Sequence, residues 1–230
     1  MNAFVLAGGQ STRMGRDKAL LVVHGRTLVE HMVEKLHGLG LTARICGSRP
    51  DLAQFAEVVA DNFAQCGPLA GIEAALAVSD SEMNLFVPVD LPGLPAEFLH
   101  WLMARAETSQ AVATIPRFGD RLQPLCAVYS RRLLGGIRDA LSAGRRKVMD
   151  AVGGSASALG EPLDGFDVES VAASGQAEWP MEPRLAEWLR NVNTRGEYEA
   201  LCLRPFAIAG PARGGVPATS SGAKSGYPLS

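Results

Sequence analysis

The sequence predicts an α/β fold, a single three-layer domain in which helices cover both faces of a mainly parallel sheet. Three observations lead there. Short, nearly all-apolar runs alternate with longer segments of helical periodicity, the rhythm of βαβ units. The apolar runs lack polar alternation, as expected for strands buried on both faces. A glycine-rich loop directly follows the first run, at the carboxyl end of a strand, where open parallel sheets bind ligands.

Each element follows in order. Residues 3–6 form a buried strand, and the loop "GGQSTRMGRDK" carries Arg13, Arg16 and Lys18. "TLVEHMVEKLHGLG" places Leu28, Met32, Val33 and Leu36 on one helical face, with Thr27 as N-cap and glycines 38 and 40 as the stop. "ARIC" and "EVVA" read as strands, "GIEAALAVS" as a helix, and "NLFVPV" as another buried strand. "PAEFLHWLMARAE" is an amphipathic helix, "AVATI" and "PLCAVYS" are strands, and "RRLLGGIRDALSAG" is a helix. From 153 to about 184 small residues, Gly, Pro and acids dominate, which predicts an irregular excursion with one strand near Phe166 and Val168. Thr194 and Glu197 have capping-box spacing ahead of a final helix. Residues 204–230, rich in Pro, Gly, Ala and Ser, read as a disordered tail beyond a domain spanning 1–203.

Bulk properties exclude several classes of function. The net charge of −2 provides no basic field for nucleic acid or membranes, so any anion must be held locally. Hydrophobic residues make up 47% of the chain, yet no apolar run approaches the roughly 18 residues of a membrane span. The N-terminus has no secretory-signal pattern. Cys46, Cys66, Cys126 and Cys202 show no C-x-x-C spacing, which argues against structural zinc and fits a reducing cytoplasm with all four thiols buried and unreactive. The four histidines share no motif.

The cationic loop is neither a Walker A loop nor a G-x-G-x-x-G fingerprint, because Asp17 precedes Lys18 and "GGQSTR" misplaces the glycines. Its chemistry still suits an anion. Glycines let backbone N–H groups converge, Arg13 can fork two phosphate oxygens, and Lys18 adds a point charge. Asp90 in "LFVPVDLPGLP" and Asp61 in "VVADNF" are both carboxylates at strand ends. A carboxylate there can hold Mg²⁺ together with substrate phosphates. "CGPLAGIEAAL", with Gly67 and Gly71, feeds a helix whose N-terminal N–H groups suit phosphate oxygens or polar base edges.

In order along the chain, "LAGGQSTRMGRDKALL", "DNFAQCGPLAGIEAAL", "FVPVDLPGLP", "SAGRRKVMDAV" and "NVNT" resemble the motifs of molybdenum cofactor guanylyltransferases, the MobA-like nucleotidyltransferases. The resemblance covers 3 to about 152 and 191–203. It implies a single Rossmann-like domain that transfers GMP from GTP to a molybdopterin-type cofactor, with Mg²⁺, releasing pyrophosphate. It further implies that Leu6, Ala7 and Gly8 contact the nucleotide and that Gly9 and Arg13 cradle its phosphates. Lys18 would neutralise the triphosphate, Asp61 would line the nucleotide pocket, and Asp90 would hold the metal. Arg146, Lys147, Asn191 and Asn193 would face the pterin acceptor. Proteins that deliver or collect so labile a cofactor are implied as partners, although no segment marks a docking surface. A cytidylyltransferase on the same cofactor, another nucleotidyltransferase, and a non-catalytic nucleotide-binding module share these features and stay open as alternatives.

Overall fold

Alternate residues of the first strand point into opposite cores, and the whole architecture follows from that division. The computed structural model describes residues 1–8, 17–175, 177, 179, 185–188, 192 and 194–203. Strand β1 (Asn2–Leu6) sends Ala3 and Val5 to one apolar layer and Phe4 and Leu6 to the other. A single 3₁₀ turn (Lys18–Leu20) and a small hairpin, β2 (Val22–Val23) and β3 (Arg26–Thr27), lead into α1 (Leu28–Gly38). The capping box expected at Thr27 is present, with Glu30 as its reciprocal partner. Then come β4 (Ala43–Cys46), β5 (Glu57–Val59), α2 (Pro68–Val78), β6 (Met83–Pro88), α3 (Ala96–Ser109) and β7 (Ala113–Phe118). A short β8 (Arg121–Leu122) folds back on β7, and β9 (Ala127–Ser130) is followed by α4 (Leu134–Ser142).

The remaining elements are α5 (Val148–Leu159), β10 (Leu163–Asp167), α6 (Val168–Ala173), α7 (Leu185–Trp188) and α8 (Arg195–Cys202). The main sheet has the order β10-β7-β9-β6-β1-β4-β5, with β8 paired to β7. Its pairings are parallel except those made by β9 and β8. Helices α1, α3 and α6 pack on one face and α2, α4 and α5 on the other, which is the three-layer arrangement the sequence predicts. Thr194 and Glu197 form the expected second capping box, at the start of α8.

Two expectations need correction. The stretch from 153 is not an irregular excursion: through residue 173 it forms the end of α5, an edge strand and α6. Small residues hid the helix because α5 packs closely on α4. A Cβ on Gly136 would come within 3.0 Å of the Ser155 Cα, so the contact excludes the larger residues that make a helical pattern visible. The cysteines also divide: Cys46 and Cys126 are buried, whereas Cys66, on the turn before α2, and Cys202, in the last turn of α8, are only partly covered. The 204–230 stretch lies outside the described residues. No helix among the described residues is long and apolar enough to cross a membrane.

Candidate active site

The carboxyl ends of β1, β4, β5 and β6 meet at one edge of the sheet, and the chain leaves each of them with a residue that suits a nucleotide. Beyond β1, the Ala7 N–H donates to the Cys46 carbonyl at 3.2 Å and the Val89 N–H donates to Leu6 at 3.2 Å. These bonds carry the ladder one step past the strands and bring Leu6, Ala7, Cys46 and Asp90 together. Gly8 then passes against Gly47, whose φ of 133° is open to glycine. A Cβ on Gly47 would lie 3.1 Å from the Gly8 Cα, so the two loops approach backbone to backbone.

Lys18 opens the 3₁₀ turn after the glycine loop and donates to Asp90 Oδ2 at 3.1 Å. Both side chains are only about one-fifth exposed, 22% and 20%, so the pair sits in the crevice and not on the free surface. Asp17 caps this turn by accepting from the Ala19 N–H at 2.9 Å, and Arg49, from the loop after β4, pairs with Asp17 and Asp51. The loop after β4 therefore braces the turn that carries Lys18.

Asp61 follows β5, two residues past the strand end. Its Oδ1 is buried and has no hydrogen-bond partner among the described residues. Gly71 opposes it: a Cβ there would lie 3.6 Å from that oxygen, 3.5 Å from Leu6 Cδ2 and 3.3 Å from Cys46 Cβ. Burial first, and the Glu73 carboxylate second, push the Asp61 carboxyl above the usual range. Gly67, with φ of 68°, turns the chain into α2, whose first N–H groups have no side-chain cap.

The loop after β6 is held from two sides. Lys35 of α1 is buried beneath it and donates to the carbonyls of Pro92, at 2.9 Å, and Leu94. From the C-terminal side, the Val192 N–H donates to the Asp90 carbonyl at 3.3 Å. The Glu187 carbonyl lies 3.0 Å from where a Gly93 Cβ would be, so Gly93 admits α7.

The structure thus brings together Leu6, Ala7, Gly8, Lys18, Asp61, Gly71 and Asp90, with Gly67 one turn before Gly71 at the start of α2. Arg146 and Lys147 stand exposed on the loop between α4 and α5. Because β9 runs against the parallel strands, the helix after it climbs back toward their carboxyl ends and delivers that loop to the same side. Gly9, Arg13, Asn191 and Asn193 lie outside the described residues. Sequence reasoning missed Gly47, Arg49, Lys35 and the Asn62–Glu73–Arg138 set. A visible signal existed for the last of these: Glu73 is a lone charge inside the apolar run "GIEAALAV".

As for a metal, no group of three or more His, Cys, Asp or Glu side chains is placed to hold one among the described residues. A single carboxylate beside a cationic cradle fits an ion that completes its shell with substrate phosphates and water, as Mg²⁺ does.

Comparison with known proteins finds similarity along most of the chain. The model of the MobA-like NTP transferase domain matches residues 3–157. A molybdenum cofactor guanylyltransferase from Syntrophotalea carbinolica is 32% identical over 200 residues, covering 86% of this chain and 89% of that protein. One from Xanthomonas euvesicatoria is 40% identical over 140 residues, covering 60% of this chain and 67% of that one. Among solved structures, the molybdopterin-guanine dinucleotide biosynthesis protein A of Archaeoglobus fulgidus superposes with a TM-score of 0.69 at 22% identity, covering 87% and 96% of the two chains.

Proposed function

The chain belongs to the MobA-like NTP transferase family, and from that premise we infer that it is a molybdenum cofactor guanylyltransferase. It transfers GMP from GTP to a molybdopterin-type cofactor and releases pyrophosphate. The observation that carries the choice of base is Asp61, a carboxylate with one oxygen buried and unpartnered at the nucleotide end of the sheet. Such a group calls for a donor. Guanine offers two adjacent donors, N1–H and the N2 amino group, where cytosine and adenine present acceptors beside their amino groups. The cytidylyltransferase alternative would put acceptor atoms of the base against this carboxylate.

The reaction asks for little covalent help from the protein. A phosphate oxygen of the acceptor attacks the α-phosphorus in line, a new P–O bond forms, and the bond to the β-phosphate breaks with its electron pair leaving on pyrophosphate. A phosphate nucleophile is already ionised near neutral pH, so no general base is required. The chain's task is positioning and charge neutralisation. Gly8 and the N-terminal turn of α2 offer backbone N–H groups, and Lys18 neutralises charge gathering on the leaving group. Asp90 would hold Mg²⁺, which when bound supplies further neutralisation at the phosphates. Arg146 and Lys147 supply positive charge on the acceptor side. Cofactor-delivering and cofactor-accepting proteins are the expected partners, and the cytoplasm the expected setting.

The test is pyrophosphate release by purified enzyme supplied in turn with GTP, CTP and ATP and with molybdopterin cofactor. GTP should be the productive nucleotide, and Asp90→Ala should lower its turnover by ~100–1000-fold, the usual cost of removing one preorganised charge. Preference for CTP would move the chain to the cytidylyl branch, and no release with any nucleotide would leave a binding module.

A further inference from the structure

Glu73 is fully buried, with 0% of its side chain exposed, in a helix otherwise made of apolar and small residues. A buried carboxylate is costly unless each oxygen finds a donor, so its partners indicate what it is for. Oε1 accepts from Arg138 Nε of α4 at 2.6 Å, a tie between two helices. Oε2 accepts from Asn62 Nδ2 at 2.9 Å. A strut between α2 and α4 needs only the first bond. The second reaches out of the helix layer to the residue immediately after Asp61, on the turn that leaves β5.

We propose that Glu73 is a positioning residue for base selection: through Asn62 it fixes the turn that aims Asp61 at the guanine edge. The inference rests on the reading of Asp61 as the guanine contact. Asn62 is exposed, so without Glu73 nothing in its own burial would hold it. Asp61 is the neighbour whose orientation the bond then constrains, holding its buried Oδ1 3.6 Å from where a Cβ on Gly71 would lie. Negative charge on Glu73 also makes the Asp61 carboxylate more basic, hence a stronger acceptor for N–H donors. Arg138 neutralises the far oxygen and keeps the buried charge affordable within the fold.

The experiment measures dissociation constants of GTP and of ITP with Mg²⁺ by calorimetry on the full chain. Inosine keeps N1–H and O6 but lacks the 2-amino group, so the ITP-to-GTP ratio reports the bond to that amino group. The ratio compares two ligands on one preparation, so partial unfolding of a variant cancels. Asp61→Asn should abolish the preference. Asn62→Ala, which removes an exposed side chain and leaves the Glu73–Arg138 pair intact, should reduce the ratio about tenfold, as should Glu73→Ala. Glu73→Gln can still accept from Arg138 through its oxygen and donate through its amide to Asn62 Oδ1 once the Asn62 side chain flips, and should keep the ratio within about threefold of wild type. If Asn62→Ala and Glu73→Ala keep the wild-type ratio while Asp61→Asn loses it, the base contact stands and the positioning role of Glu73 is wrong. If Asp61→Asn also keeps the ratio, the base contact itself is wrong and the role of Glu73 goes with it.

Discussion

Lys35 reads in the sequence as one more cation of an amphipathic helix, yet its side chain is buried beneath the loop that carries Asp90. Burial pushes its ammonium from the ordinary 10.5 down to about 8. Even the neutral amine keeps two N–H groups, enough for the carbonyls of Pro92 and Leu94, so the loop stays pinned on either side of that value. The sign of its contribution to stability follows. Between about 8 and 10.5 the unfolded chain holds a proton that the folded chain has released, so stability from this group rises with pH across that window. In urea titrations at pH 7 and pH 9.5, wild type should gain stability relative to Lys35→Met as the pH is raised, because the variant lacks this linkage. The charges of the site differ in how openly the sequence displays them. Lys18 and Asp90 sit in motifs beside glycines and a strand end, where their types and spacing already point to phosphate and metal. Lys35 and Arg49 act through partners 57 and 32 positions away in the chain, distances that no local pattern records, whereas Glu73 shows in the sequence only as a lone charge in an apolar run.

Helix α2 shows how one element answers two demands. Gly67 turns the chain into it with a positive φ, Gly71 keeps its first turn small against Cys46, Leu6 and Asp61, and two residues later it buries Glu73 against α4. The strands and helices with strong periodicity were legible because burial on one or both faces dictates their residue types. α5 was not, because close helix packing demands small residues and small residues carry no period. Gly136 tests this reading. Placing a methyl group there gains up to about 1 kcal/mol of helix propensity, but overpacking against Ser155 costs about 1–3 kcal/mol. The second effect should win, so Gly136→Ala should lower the unfolding free energy in chemical denaturation, whereas Gly135→Ala, with nothing within 4 Å of its Cβ, should not.

At the scale of the whole molecule, the matched domain ends at residue 157, but the site does not. Trp188 is fully buried against Phe98 with ring centroids 5.5 Å apart, and Trp179 lies 5.5 Å from the same ring. Through Gly93 and Val192 this C-terminal layer leans directly on the Asp90 loop. A chain ended at residue 175 should therefore melt at a lower temperature and also lose nucleotidyl transfer, although every proposed nucleotide contact precedes residue 91. Trp188→Ala should cost about 3–5 kcal/mol and reduce turnover in step, read by denaturation and pyrophosphate release on the same preparation.

The reversed strand β9 divides the labour of the chain along its length. Before it, the polypeptide sets Leu6, Lys18, Asp61 and Asp90 along one rim of the sheet; after it, α4 returns to that rim and brings up Arg146 and Lys147, the side chains proposed above for the acceptor. If those roles hold, substitutions in the later half should change the recipient while the earlier half goes on recognising the same donor. A descendant of this chain could acquire a new acceptor without having to relearn its nucleotide.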